Sequence, residues 1–383
     1  MKIFINTIPL LGAPTGVGHY TRQITESIAA HGETFDPTFF YGYCSKKLPN
    51  AAEGGAHSVM GGIKRLLARQ TFLRRVAKKT LTVADGLRNA LRGETYDCYF
   101  EPNFVLLPTI RFRRSVLTAH DFSCFLYPQW HPAERVRYME KHFRGSLERA
   151  DAVVTVSEAM RREAIELFGL DAKRVMTVHN GVDHERFRPC SPERTARLLG
   201  RHALPERFIL YVGTVEPRKN LCNLLLAYGL LPEPLKERFP LVLAGAEGWK
   251  NTDIHRLVES MSSHVRLLGY VPIAELPALY SAATLFAYPS WYEGFGLPVL
   301  EAMACGCPVL TSDHAALLEV CGGAALHTPP GDPEAMSARL RELLEDENLR
   351  DALRGRGLER AALFSWDASA QKHMELFIRL CAN

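Results

Sequence analysis

The sequence has neither a long apolar run nor a pattern typical of secretion. No stretch of its 383 residues approaches the roughly 18 to 20 consecutive apolar residues that a membrane-spanning helix needs. The chain opens on a strand-like segment, Lys2–Asn6, without the basic region, apolar stretch and cleavage site of a secretory signal. We therefore expect the protein to stay in the cytoplasm.

Cysteine patterns that indicate disulfides or zinc are also absent. The nine cysteines are an odd number, and apart from Cys305 and Cys307 they stand singly, without a C-x-x-C pair. Reduced, mostly buried thiols are therefore expected, with neither a disulfide framework nor a zinc site. A strong net charge is lacking as well. The value of +4 is too small to indicate a nucleic-acid partner, and 47% hydrophobic with 23% charged residues is typical of a globular protein.

The basic residues are nevertheless unevenly distributed. Residues 61–92 contain nine Lys or Arg and a single acid, Asp85, so this segment carries +8 and the rest of the chain −4. Apolar residues recur among these charges at nearly helical spacing, which predicts a basic amphipathic helix. Such a helix either packs one face on its own domain or docks on an anionic membrane, where each basic residue adds on the order of 1 kcal/mol. We hypothesise that 61–92 makes peripheral contact with the inner face of the inner membrane.

Strand-like and helix-like segments alternate in two successive series. The first series runs from the N-terminus to a strand near 175–179, and the second begins with a strand at 208–212. Between them, the proline-containing segment 181–205 has no strand run and is expected to be the linker. Two such series predict an α/β protein with two Rossmann-like domains facing across a cleft, at residues 1–185 and 190–365.

The stretch Tyr288–Asp313, YPSWYEGFGLPVLEAMACGCPVLTSD, has the features of an anion site. It predicts a strand, a glycine loop, a short helix and another strand. Gly294 and Gly296 let the backbone approach a ligand closely, and the helix start offers unpaired amides and a positive dipole end to phosphate. Glu293 precedes the loop and Glu301 lies about one turn into the helix. We expect both carboxylates to face one ligand.

A cationic turn follows the first strand of the second series. Arg218 and Lys219 stand together just before a helix, where each opposes the dipole at a cost of roughly a few tenths of a kcal/mol. Such side chains usually point to water, but an anionic ligand would make both favourable. We interpret them as ligands of a diphosphate whose developing negative charge they stabilise in a partly dry cleft.

Two segments of the first series place polar groups where strands end. Gly16 and Gly18 form a G-x-G pair before a helix, although the third glycine of a dinucleotide fingerprint is missing. The strand 115–119 ends at His120 and Asp121, beyond the carboxyl edge where ligands bind in open α/β sheets. A His-Asp pair of this kind often caps a helix, but we favour a role in chemistry, for His120 ahead of Asp121.

The central stretch resembles the E-x7-E signature of retaining glycosyltransferases of family 4, which have the GT-B fold. The resemblance implies that Glu293 faces the donor sugar, that Glu301 holds the ribose, and that loop amides reach sugar and phosphate. Those loop residues are Gly294, Phe295, Gly296 and Leu297. It also implies that the last helix, within 366–383, crosses back to the N-terminal domain.

Two motifs of the first series resemble the same family. The G-x-G-x-Y sequence at Gly16, Gly18 and Tyr20 is similar to the loop that approaches the donor diphosphate and the acceptor. His19 stands there where an arginine is frequent. The sequence TAHDFS resembles the loop beside the anomeric centre, which makes His120 a catalytic candidate.

The second series carries two further resemblances. Arg218 and Lys219 resemble the donor-phosphate motif and join Glu293 and His120 as catalytic candidates. Many members carry an arginine directly after the glycine of this turn, but here Thr214 follows Gly213, so either Arg218 supplies that charge or the motif is only partly met. The nucleotide base is expected beside Tyr270 and Val271.

The resemblance implies retention of anomeric configuration, by front-face attack in which the leaving phosphate takes the acceptor's proton. Glu293 is not assigned the role of nucleophile that a carboxylate has in retaining glycosidases. No Asp-x-Asp pair stands near the phosphate site, so we expect metal-independent catalysis with a nucleotide-sugar as substrate and no further cofactor.

The segments YVGTVEPRKN, TAHDFSCFLYPQWHP and SWYEGFGLPVLEAM resemble a bacterial mannosyltransferase-like branch that builds O-antigen and exopolysaccharide. We therefore expect a GDP-mannose donor and a lipid-linked oligosaccharide acceptor, with GDP-rhamnose and then UDP-sugars as alternative donors. Two rivals remain: a sugar-nucleotide epimerase of the same fold, which needs no acceptor, and a non-catalytic sugar-nucleotide sensor.

Overall fold

The computed structural model describes residues 1–11, 15–48 and 94–382. The basic segment 61–92 lies outside the described residues, and its contact with a membrane stays a prediction. Within the described ranges, no helix combines the length and the apolar character needed to cross a membrane.

The chain forms two separate sheets. The first has seven strands: β1 (Lys2–Asn6), β2 (Asp36–Phe40), β3 (Cys44–Ser45), β4 (Tyr96–Glu101), β5 (Phe112–Ala119), β6 (Ala152–Thr155) and β7 (Val175–Thr177). Their order is β3-β2-β1-β4-β5-β6-β7, and every neighbouring pair is parallel except β2 with β3. We call the part of the chain built on this sheet the N-terminal domain.

The second sheet has six strands, all parallel. They are β8 (Ile209–Val212), β9 (Leu241–Ala244), β10 (Val265–Gly269), β11 (Leu285–Tyr288), β12 (Val309–Ser312) and β13 (Leu326–Thr328). Their order is β10-β9-β8-β11-β12-β13, and this part is the C-terminal domain. The prediction of two Rossmann-like sheets in an α/β protein is confirmed.

Helices connect the strands of both sheets. Those of the N-terminal domain are α1 (Gly16–Ala30), α2 (Ser123–Leu126), α3 (Ala133–Arg149) and α4 (Glu158–Phe168). Those that follow are α5 (Pro192–His202), α6 (Leu221–Gly229), α7 (Glu233–Arg238), α8 (Thr252–Ser260), α9 (Leu276–Ala282), α10 (Leu297–Ala304), α11 (Ala315–Cys321), α12 (Pro333–Glu345), α13 (Glu347–Ala361) and α14 (Trp366–Ala382).

Two segments differ from the sequence-based expectation. Helix α1 begins at Gly16, so Gly16 and Gly18 occupy its first turn and not a loop, because the Thr15 hydroxyl caps the helix by accepting the Gly18 N–H at 3.1 Å. The expected linker contains a helix, α5. The signals for it are in the sequence, since Ser191 is its N-cap and Pro192 its first residue.

The last helix, α14, packs on the N-terminal domain as predicted. Its His373 Nε2 lies 2.7 Å from the hydroxyl of Tyr20 in α1, and that hydroxyl lies 2.8 Å from Thr118 Oγ1 in β5. The Phe377 ring packs on Phe100, with centroids 5.2 Å apart. A buried polar chain inside an apolar layer thus attaches the end of the chain to its first helix.

The two domains meet at the N-terminus of α4. Ser157 caps this helix and also donates its hydroxyl to the carbonyl of Gly294, in the C-terminal domain, at 2.7 Å. The Glu319 carboxylate of α11 accepts the backbone N–H groups of Glu158 and Ala159 at 2.8 and 2.9 Å, and His179 Nε2 lies 2.7 Å from it. A carboxylate from one domain therefore occupies the anion-favouring helix end of the other.

We expect Glu319→Ala to open the cleft. The variant leaves two backbone donors of α4 without their carboxylate, a loss of about 1 kcal/mol by analogy with helix capping. Small-angle X-ray scattering should give a larger radius of gyration than for the wild type, and the melting temperature should fall. Glu359→Ala, which removes an exposed glutamate from α13 of the same domain, is the matched control. An unchanged radius in both variants would contradict the closing role of Glu319.

Candidate active site

Three charged side chains form a buried ion triad where β8 and β11 end. Lys219 Nζ lies 2.5 Å from Glu293 Oε1, and Arg218 Nη1 lies 3.0 Å from Glu293 Oε2. Glu293 and Lys219 are only 7% and 8% exposed. Arg218 also pairs with Glu216 at 2.9 Å. The structure thus brings together three of the residues that the sequence singled out.

The triad sets the charges of its members. Burial alone would raise the pKa of Glu293, but Arg218 and Lys219 outweigh it and lower that pKa to about 2. Burial and the adjacent Arg218 guanidinium lower the pKa of Lys219. Removing one partner from such a pair leaves an uncompensated buried charge. In the structure Glu293 thus supplies the charge that balances the two cations.

His120 stands on the N-terminal side of the cleft, at the end of β5. Its Nε2 lies 2.8 Å from the Pro102 carbonyl oxygen, which can only accept, so Nε2 carries the proton and Nδ1 is an acceptor. Burial lowers the pKa of His120, which keeps the ring neutral. The rings of Tyr20 and Phe104 pack edge-on against it, with centroids 4.8 and 5.6 Å away.

The glycine loop of the C-terminal domain touches the His120 loop directly. A Cβ at Gly294 would lie 1.7 Å from the His120 carbonyl oxygen, so only glycine allows this approach. Gly296 has φ = 101°, a left-handed conformation, where it precedes α10. A Cβ at Gly16 would lie 3.6 Å from Leu297, so the start of α1 faces the start of α10. The two glycine motifs found in the sequence therefore meet across the cleft.

Glu301 lies one turn into α10, as the sequence indicates. The Tyr280 hydroxyl donates to it at 3.2 Å, and burial raises the pKa of Glu301 to about 8. The carboxyl group is thus held in an environment that disfavours its charge. A ligand hydroxyl in contact with it would find both a donor and an acceptor.

The remaining predicted residues differ in burial and in contacts. Phe295 is buried against His179 and Phe364, with centroids 6.1 and 5.9 Å away, so its side chain serves packing between the domains. Gly213 and Thr214 follow β8. The Thr214 carbonyl accepts a hydrogen bond from the Tyr211 hydroxyl at 3.2 Å. After β10, Tyr270 is 58% exposed while Val271 is buried.

The sequence did not reveal three further side chains of the site, those of Tyr288, Glu216 and Tyr292. The Tyr288 hydroxyl lies 2.5 Å from Lys219 Nζ and 3.1 Å from Glu293 Oε1. Glu216 is the second partner of Arg218. The Tyr292 hydroxyl lies 2.5 Å from a carboxylate oxygen of Glu163 in α4 and joins the two domains. The signal for both tyrosines was their position near Glu293 in YPSWYEG, but Lys219 and Glu163, with which they also pair, are far away along the chain.

The arrangement suits an anionic, hydroxyl-rich ligand. It combines two cations, the positive end of a helix dipole, a neutral imidazole and two carboxyl groups at the junction of two domains. In the part of the chain that the structure describes, residues 1–11, 15–48 and 94–382, no three His, Cys, Asp or Glu side chains cluster as a metal site.

Glu301→Gln should raise the melting temperature at pH 8 and change it little at pH 4.5. The folded protein keeps the Glu301 proton up to a pKa of about 8, whereas the ordinary value is 4.5. The folded state therefore binds more protons than the unfolded state in this window, and the free energy of unfolding falls as pH rises through it. Glutamine removes that penalty.

Thermal unfolding of wild type and Glu301→Gln across pH 4.5 to 8 tests this expectation, with Glu359→Gln on the exposed face of α13 as control. A difference in melting temperature that does not grow with pH would contradict the raised pKa.

Comparison with known proteins identifies the family of this chain. Residues 14–186 match the model "Glycosyltransferase Family 4" and residues 200–360 match "Glycosyl transferases group 1". The chain is 40% identical over 376 residues to O-antigen chain mannosyltransferase B of Escherichia coli, covering 96% of this chain and 97% of that protein. It is 35% identical over 275 residues to the serotype-specific mannosyltransferase WbdA of Escherichia coli, covering 70% of this chain and 34% of that protein.

A solved structure shares the whole fold. Sucrose-phosphate synthase from Thermosynechococcus elongatus superposes with a TM-score of 0.76 at 23% identity, covering 100% of this chain and 99% of that chain. Such a likeness supports the GT-B architecture and no particular substrate. The two family matches, the relative similar over nearly its full length and this shared fold together show one result. The chain belongs to glycosyltransferase family 4 and has the GT-B fold.

Proposed function

We propose that the protein transfers an α-mannosyl group from GDP-mannose to a lipid-linked oligosaccharide in bacterial surface polysaccharide synthesis. The observation that carries the proposal is the buried pair Arg218 and Lys219, held beside the glycine loop and α10 where the two domains touch. The two relatives that are mannosyltransferases support mannose as the transferred sugar. GDP-rhamnose and UDP-sugars are the alternative donors.

The triad supports a specific way of binding the donor. The diphosphate takes the place of Glu293 beside Arg218 and Lys219, and the freed carboxylate turns to the hydroxyl groups of the sugar. As the bond to the anomeric carbon breaks, negative charge grows on the diphosphate, where fixed cations and helix amides stabilise it without reorganisation. Glu301 then contacts the ribose.

The acceptor hydroxyl attacks from the face that the diphosphate leaves, so configuration is retained. Its proton passes to the departing phosphate oxygen, and no carboxylate of the protein acts as nucleophile. His120, neutral and fixed by Pro102, offers its Nδ1 as acceptor to the transferred sugar. The step requires no metal ion, because Arg218 and Lys219 neutralise the leaving group.

The cellular location of the enzyme follows from the same proposal. A lipid-linked acceptor lies at a membrane surface, so we place the enzyme in the cytoplasm with peripheral contact to the inner membrane through the basic segment 61–92. Its net charge of +8 supports attraction to anionic lipids.

The base is expected to be guanine, and a nucleotide panel tests it. Thermal shifts with GDP, UDP and ADP should be largest for GDP, since a ligand at about 100 times its dissociation constant stabilises by roughly 2.7 kcal/mol. GDP-mannose should then give product only when an acceptor is present. Conversion of the sugar-nucleotide without acceptor would indicate an epimerase, and tight binding without transfer or hydrolysis would indicate a sensor.

Glu293→Gln should bind GDP more tightly than wild type, by roughly tenfold or about 1.4 kcal/mol. The reason is that glutamine no longer competes with the diphosphate for Arg218 and Lys219. Transfer should nevertheless fall strongly, because the donor sugar loses its carboxylate. Isothermal titration with GDP and a transfer assay measure the two effects separately.

Lys219→Met is the matched comparison for this prediction. It removes a cation of the same triad, so GDP affinity and transfer should both fall. Weaker GDP binding in Glu293→Gln, or unchanged turnover in both variants, would contradict the proposed exchange of carboxylate for phosphate.

A further inference from the structure

Three of the chain's four tryptophans gather at the rim of the cleft. Trp130 lies in the loop that follows His120 and α2 in the N-terminal domain. Trp249 follows β9, and Trp291 stands two residues before Glu293, both in the C-terminal domain. All three are partly exposed. Large aromatic side chains from opposite domains therefore border the entrance to the ion triad.

The rings of this group are nearly parallel. Tyr127 stacks on Trp130 with centroids 4.2 Å apart and planes 18° from parallel. Trp130 and Trp291 face each other across the domain boundary at 6.5 Å and 25°. The first distance is direct contact, and the second joins the centroids of two rings that are farther apart. A sugar ring held between the two faces requires a spacing of roughly 7 to 8 Å between them.

The backbone around Trp130 is held in place from the other domain. Trp249 Nε1 donates to the Trp130 carbonyl oxygen at 2.6 Å, and Lys250 Nζ donates to the Gln129 carbonyl oxygen at 2.5 Å. On the other side, the backbone N–H of Trp291 donates to the Arg218 carbonyl oxygen at 3.0 Å. Both facing indoles are thus fixed through main-chain groups, and Trp291 is fixed to the turn that carries the cations.

A pyranose ring has the shape and polarity to stack on the indoles of Trp130 and Trp291. Its ring C–H groups carry a small positive charge, and the faces of the indoles are the negative part of the aromatic quadrupole. With its base beside Tyr270 and Val271, as expected, the nucleotide places that base away from the two indoles. Tyr270 and Val271 follow β10, which is three strand spacings, or about 14 Å, from the β11 strand that leads to Trp291.

We propose that Trp130 and Trp291 clamp the terminal hexopyranose ring of the acceptor glycan. The inference rests on the proposed mannosyl transfer. The donor sugar is bound by the Glu293 carboxylate and the amides of the glycine loop, both polar. The aromatic pair lies at the entrance and takes half of its surface from the N-terminal domain. The ring enters between the two indoles when the domains separate.

Kinetics of three variants test the clamp, with GDP-mannose as donor and methyl α-mannotrioside as acceptor probe. Trp130→Ala should raise the acceptor KM roughly tenfold, about 1.4 kcal/mol, and leave the donor KM and the GDP dissociation constant unchanged. Trp130→Phe keeps an aromatic face and should recover most of the loss. Tyr43→Ala removes an exposed aromatic ring at the far edge of the N-terminal domain's sheet, beside β3, so its acceptor KM should stay near the wild-type value.

A binding measurement separates the clamp from the proposed transfer. Isothermal titration of the wild type with methyl α-mannotrioside in the presence of GDP should give a saturable heat signal, and this signal should be lost in Trp130→Ala. Failure of GDP binding or of transfer in the wild type contradicts the proposed function, whereas loss of the saturable signal only in Trp130→Ala still supports the clamp.

Three outcomes would overturn the clamp. An equal rise of donor and acceptor KM in Trp130→Ala would mean that the pair holds the donor sugar. An equal rise of the acceptor KM in Tyr43→Ala would mean that the effect is not specific to the aromatic pair. Unchanged acceptor KM and binding in Trp130→Ala would mean that no sugar is bound there.

Discussion

The pairing of Glu293 with Arg218 and Lys219 is the interaction on which the rest of the site depends. Two cations side by side in a largely dry cleft repel each other and lose hydration, so they persist there only with a partner. Without ligand, the protein supplies that partner from the loop after β11. The turn after β8 and the glycine loop are thereby held as one unit, with the cations already oriented.

Closure of the cleft uses contacts that can be replaced by water. Glu319 binds two backbone N–H groups of α4, Ser157 binds the Gly294 carbonyl, and Trp249 and Lys250 bind carbonyl oxygens of the Trp130 loop. Each of these groups is at a domain edge, where solvent can satisfy it once the domains separate. These polar contacts make the closed arrangement specific in geometry, and the packing of Phe295 between the domains adds buried apolar surface to them.

Local patterns allowed much of the fold and of the site to be predicted. Apolar runs marked the strands, and the spacing of Glu293 and Glu301 around a glycine loop marked the anion site. What could not be predicted depends on packing between distant segments. Glu319 and Glu158 are 161 residues apart, Tyr292 and Glu163 are 129 apart, and Tyr20 and His373 are 353 apart. The raised pKa of Glu301 likewise arises from burial that no local pattern encodes.

The attachment of α14 to the first domain also bears on how the chain matures during translation. Residues 366–382 leave the ribosome only after the whole second sheet has been made. Until then the Tyr20 hydroxyl lacks its imidazole partner, and the aromatic surface around Phe100 stays uncovered. The domain that is synthesised first is thus completed last, and its apolar surface stays uncovered while the second domain is made.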